Sequence, residues 1–163
     1  MKTHKNAKAQ EADAENTRRW RFAALSQGQA RQRTFNDNYL LISVQDPDEP
    51  LIELPQPPEY RGILRLHANI ESRQNGMVLF SRDQAHQILD FVEEHRGEAA
   101  LIACHCKMGM CRSPAITAAL AAIMGQETKF LSDNRGRPKY RPNRSVYETL
   151  LQEGRRHPLS ESF

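Results

Sequence analysis

The stretch His105-Cys106-Lys107-Met108-Gly109-Met110-Cys111-Arg112-Ser113-Pro114 concentrates the residues best suited to chemistry. It lies between an apolar run that reads as a buried strand, Ala99 to Cys104, and an Ala-rich run that reads as a helix from Ser113 to Met124. A helix N-terminus presents unpaired N–H groups and a partial positive charge to an anion. A tight loop there can turn successive N–H groups inward as an anion nest, and Gly109 permits the backbone angles that this needs. Cys106 opens the loop, so its pKa is expected to be depressed, because helix N-termini and nearby cations favour thiolate. A thiolate is an effective nucleophile near neutral pH. Arg112 lies six residues on. Its planar fork suits two phosphate oxygens at once. Ser113 is placed to donate a hydrogen bond to Cys106, or to stabilise it as a leaving group. His105 is expected to orient the loop through its ring nitrogens. Lys107, Met108, Gly109, Met110, Cys111 and Arg112 would then supply the phosphate-binding loop.

The three cysteines, Cys104, Cys106 and Cys111, all fall in this segment. A secreted disulfide framework spreads its cysteines along the chain, so the cluster argues for catalysis or metal binding instead. Cys104, His105, Cys106 and Cys111 offer zinc ligands, but structural zinc sites pair two knuckles and no second knuckle follows. No metal and no cofactor are expected.

The elements around the segment must position it. Trp20 to Leu25 reads as a first strand and Gln27 to Arg33 as a short helix. Tyr39 to Val44 is a continuous apolar run, as in a strand buried on both faces. Prolines at 47, 50, 55, 57 and 58 make Asp46 to Tyr60 a loop. Ile63 to Ala68 reads as a third strand. Ser81 caps a helix, with Gln84 three residues later as in a capping box. Its apolar face is Ala85, Ile88, Leu89 and Val92, and Gly97 ends it. Pro114 suits an early helical position, and a last helix spans Ser145 to Glu153. Strands alternating with helices predict an α/β fold with a mostly parallel central sheet flanked by helices.

The 163 residues suffice for one domain with a sizeable core. Residues 1–18 read as a flexible tail, 19–156 as the folded domain and 157–163 as a C-terminal tail. Ala115 to Met124 is too short to span a bilayer, and no apolar signal core opens the chain, so a cytoplasmic location is expected. A net charge of +3 does not by itself imply nucleic acid, although basic residues crowd Arg18 to Arg21 and Arg135 to Arg144.

The pattern His-Cys, five residues, then Arg-Ser resembles the signature of the protein tyrosine and dual-specificity phosphatase superfamily, H-C-x5-R-[ST]. Arg137-Pro138-Lys139-Tyr140-Arg141-Pro142-Asn143, followed by Val146 and Leu150, resembles the segment after the signature helix in dual-specificity enzymes. The similarity covers Trp20 to Glu153 and is nearest to the small bacterial and phage members. It implies a cysteine-phosphatase fold, a metal-free phosphocysteine mechanism on Cys106, and a supporting role for Asn143 beside the loop. The implied partner is a phosphorylated protein or small phosphoester. Cys111-Arg112-Ser113-Pro114 also resembles the loop end of low-molecular-weight tyrosine phosphatases. That likeness makes Cys111 either a redox partner that protects an oxidised Cys106 or a small packed loop residue. Cys104 is the weaker redox candidate.

Two features depart from the pattern. The family's aspartic acid, which protonates the leaving oxygen, follows the strand equivalent to Ile63–Ala68. Here Asn69 takes that place, and an amide is no acid. Either Glu71 or His67 serves instead, or the substrate has a good leaving group, or the chain is slow and acts as a phosphate-binding module. Asp46 and Asp48 are more remote candidates. Lys107 directly after the nucleophile resembles inositol-lipid phosphatases, whereas Met108 and Met110 do not. Lipid, polyphosphate or RNA 5′-triphosphate substrates therefore stand as alternatives to phosphotyrosine.

Overall fold

The computed structural model describes residues 20–68 and 80–162. Residues 1–18, Arg19, and the acid candidates Asn69 and Glu71 lie outside the described residues. The strands are β1 (Arg21–Ser26), β2 (Tyr39–Gln45), β3 (Tyr60–His67) and β4 (Leu101–Cys106). The helices are α1 (Gln27–Gln32), α2 (Arg82–Glu94), α3 (Arg112–Ile123) and α4 (Arg144–Gly154), with 3₁₀ turns at Lys129–Leu131 and Pro158–Ser162. The four strands form one sheet in the order β1-β4-β2-β3, and every pairing is parallel. The fold is therefore α/β, with a wholly parallel sheet flanked by helices.

The central strands β2 and β4 are buried along their whole length. Both of their faces are covered, which is why they read as unbroken apolar runs. Alternation divides their side chains between two cores. Leu40, Ile42, Val44, Ile102, Cys104 and Cys106 join the core that holds residues of α2, α3 and α4. Tyr39, Leu41, Leu101 and Ala103 join the smaller core with Ala30 of α1. The period of two thus directs Cys106 towards α3.

Most boundaries agree with the sequence reading to within two residues, and two differences bear on function. β4 runs to Cys106 instead of stopping at Cys104. His105 breaks the apolar run yet is fully buried, because its Nε2 lies 2.6 Å from Ser43 Oγ on the adjacent strand. Cys106 is therefore the last residue of a central strand. α3 begins one residue early, at Arg112, with Cys111 as its N-cap and Pro114 in its first turn. Nearly all of α3 is buried, and it packs on β1, β4 and α4, which accounts for an Ala-rich sequence with no polar face.

The capping box at Ser81 and Gln84 is present. Gln84 does more than cap: its Nε2 donates to the carbonyl of His67 at 2.9 Å and ties the start of α2 to the end of β3. The stretch read as a C-terminal tail carries core residues. Leu159 is fully buried, and His157 bonds Asp90 of α2 at 2.7 Å.

Candidate active site

All strands of a parallel sheet end at the same edge, and ligands of open α/β sheets sit there. Ser26, Gln45, His67 and Cys106 are the four strand ends. Ser26 pairs with Cys106, and Gln45 with His67.

The loop after Cys106 is bent over the end of β1. Gly109 has φ +71°, and a Cβ there would stand 2.5 Å from the backbone N of Ser26. Even an alanine methyl has no room. The loop carbonyls are held from outside. Lys107 O accepts from Gln27 N at 3.1 Å, Met110 O from Arg141 N at 2.8 Å, and Cys111 O from Asn143 N at 3.0 Å. In a trans peptide the N–H opposes the preceding C=O. The N–H groups of Met108, Cys111 and Arg112 therefore point away from the donors that hold the carbonyls at 107, 110 and 111. The basic segment 137–143 works here as a backbone strap. Its last residue, Asn143, also caps α4 by accepting from Val146 N at 3.0 Å.

Cys106 is buried, with its Sγ 3.3 Å from Ser113 Oγ. Burial pushes the thiol pKa up. Hydrogen bonds from the Ser113 hydroxyl and N–H, the Arg112 charge and the Gly109 N–H outweigh burial and bring the pKa below its ordinary value. Ser113 Oγ also lies 3.2 Å from Leu25 O. The hydroxyl has one proton and two acceptors. Leu25 O and a Cys106 thiolate are both within its reach.

Cys104 lies in the same core, and burial raises its pKa far above an ordinary thiol. All three cysteines are free thiols, with Cys111 half-buried. Among the described residues no three His, Cys, Asp or Glu side chains are grouped to hold a metal ion, and no helix is long and apolar enough to cross a membrane.

Arg112 is buried at the first turn of α3. Its Nη1 donates to Ala68 O at 2.6 Å and meets Asp46 Oδ1 at 2.7 Å. Asp46, among the less favoured acid candidates in the sequence, pairs with the arginine of the loop. The strand-end rule itself was the missed signal, since Asp46 directly follows β2. Asp48 is exposed. Lys107 points into the same acidic loop, with Nζ 2.8 Å from Glu49 Oε1 and 3.7 Å from Asp46 Oδ2. His67 sits at the end of β3, where Nδ1 donates to Asp46 O at 3.2 Å. Met108 and Met110 are 73% and 38% exposed on the rim.

His105 is held by Ser43, a partner no sequence motif announced. Burial lowers its pKa to about 4, and the charges of Arg65, Arg112 and Arg31 act in the same direction. The folded protein keeps this ring neutral, whereas the unfolded chain takes up a proton below about pH 6.5. Between pH 6.5 and 4 the unfolded state binds more protons, so stability falls as pH falls, by about 3 kcal/mol in full. Urea unfolding of wild type and His105→Gln across this window should show the slope in wild type and a flatter line in the variant. Parallel lines would show that the ring titrates normally.

No family model matches the chain, and no curated protein matches it.

Proposed function

We propose that this protein is a cysteine-dependent phosphatase of the tyrosine and dual-specificity type, with the corresponding cysteine-phosphatase fold, that hydrolyses aryl phosphomonoesters. One arrangement supports the reading: Cys106 at the end of β4 and Arg112 at the start of α3 bracket one tight loop turned at Gly109. In the first step Cys106 Sγ attacks phosphorus, the P–O bond to the aryl oxygen breaks, and the departing aryloxide takes a proton from solvent water. In the second, water attacks the phosphocysteine, the S–P bond breaks, and phosphate leaves. Ser113 stabilises the departing Sγ by turning its hydroxyl from Leu25 O to sulfur. Arg112 and the loop N–H groups stabilise the charge on the equatorial oxygens in both steps.

The rim favours a phosphomonoester with an apolar body over the polyanionic alternatives. Lys107 is already paired with Glu49, and Met108 and Met110 present apolar surface. An aryl oxygen is also a good leaving group and makes the least demand on an acid. Quenching the reaction with acid should trap a phosphoryl group on Cys106, detectable by mass spectrometry of the peptide. Turnover without that adduct would point to direct attack by water. Absence of turnover, with phosphate still bound, would support a phosphate-binding module.

A further inference from the structure

We propose that Asp46 is a positioning residue: it fixes the guanidinium of Arg112 so that the Nε–Nη2 edge is presented to phosphate. The inference rests on the phosphate-site reading of the loop and adds to it the device that orients its arginine.

Nη1 of a guanidinium carries two protons. In this structure Nη1 donates to Ala68 O at 2.6 Å and forms an ion pair with Asp46 Oδ1 at 2.7 Å. A single bond would let the planar group swing about it. A carbonyl after β3 and a carboxylate after β2 hold the Nη1 end from two sides. What remains is the Nε–Nη2 edge, whose parallel N–H groups match two phosphate oxygens. Among the described residues no side chain or carbonyl bonds that edge. Among the described residues, the Nε–Nη2 edge of Arg112 is therefore open while Asp46 holds the opposite end.

The carboxylate is itself held in place. Gln45, buried at the end of β2, donates through Nε2 to Pro50 O at 2.7 Å and accepts from Ile52 N at 3.2 Å. The Asp46 carbonyl accepts from His67 Nδ1 and from Glu49 N at 3.1 Å. The same loop sends Glu49 to Lys107, so it grips the cradle at both ends of the phosphate loop.

Two other roles for this carboxylate predict different results. As proton donor to the leaving oxygen, Asp46 would be needed as an acid. As an anion occupying the site, it would compete with phosphate. Asp46→Asn keeps an oxygen acceptor for Nη1 but removes both the acid and the charge; Asp46→Ala removes the acceptor as well. The readouts are the Kd of inorganic phosphate, and kcat and KM for an aryl phosphate across pH. The expected result is Asn within about fivefold of wild type in both Kd and kcat/KM. Ala should bind phosphate about 10- to 100-fold more weakly, the scale of a lost hydrogen bond to a charged group. The pH limbs should stay in place in both variants. Asp46→Ser, polar but too short to reach Nη1, gives the same readout if the alanine variant does not fold.

Asn as damaged as Ala, with loss of a pH limb, would overturn the inference in favour of a proton donor. Tighter phosphate binding by Ala would overturn it in favour of a competing anion. Wild-type values in both variants would overturn it outright while leaving the phosphatase reading intact. Failure of wild type to bind phosphate would overturn both.

Discussion

Cys106→Ser should leave no measurable turnover of an aryl phosphate, a loss of roughly 10³-fold or more, while inorganic phosphate still binds. The substitution is nearly isosteric, and Ser113 Oγ, 3.3 Å from sulfur in the wild type, remains as a partner for the new hydroxyl. The fold is therefore retained. What is lost is acidity. The Ser113 and Gly109 hydrogen bonds and the Arg112 charge lower the pKa of a thiol enough to populate thiolate, but they cannot ionise an alcohol near neutral pH. Removing the thiolate also removes a negative charge beside the phosphate dianion, so affinity should hold or rise. Turnover assays paired with calorimetry of phosphate binding check both halves. Wild-type rates in the serine variant would exclude Cys106 as the nucleophile.

Local chemistry made much of this arrangement legible, and long-range pairing hid the rest. Ser81 and Gln84 announce a helix start because both partners of a capping box lie within one turn. The central strands are readable because burial on both faces leaves no polar positions. Gly109 is readable as a tight turn, although the Ser26 backbone that demands it is distant in sequence. The end of β4 is not readable: His105 looks like the close of an apolar run until Ser43, on another strand, gives its ring a buried partner. Asp46 was hidden for the same reason. Its contact with Arg112 depends on β2 and β4 being neighbours in the sheet, and that order is not written in either strand. The basic stretch around Arg141 looks like a charged surface in sequence, yet in the fold its backbone N–H groups are what tie it to the loop. Composition reports side chains and says nothing of which main-chain donors are free.

Arg112→Lys should lower kcat about 10²- to 10³-fold, because an ammonium offers a point charge where two parallel donors track the transferring phosphoryl oxygens. Arg112→Ala should be worse, and for a second reason. The Arg112 charge helps hold Cys106 as thiolate, so its loss should raise the pH at which Cys106 is alkylated by iodoacetamide. Lysine keeps the charge and should leave that midpoint near wild type. The two variants thus separate geometry from electrostatics. A lysine variant with wild-type kcat/KM would show that the fork is not used; an unmoved alkylation midpoint in the alanine variant would show that the charge does not tune the thiol. The same pair reaches Asp46. If that carboxylate acts only by aiming the guanidinium, then Asp46→Ala should cost nothing further once lysine replaces Arg112, and a double-mutant cycle should place the whole Asp46 effect in its coupling to Arg112.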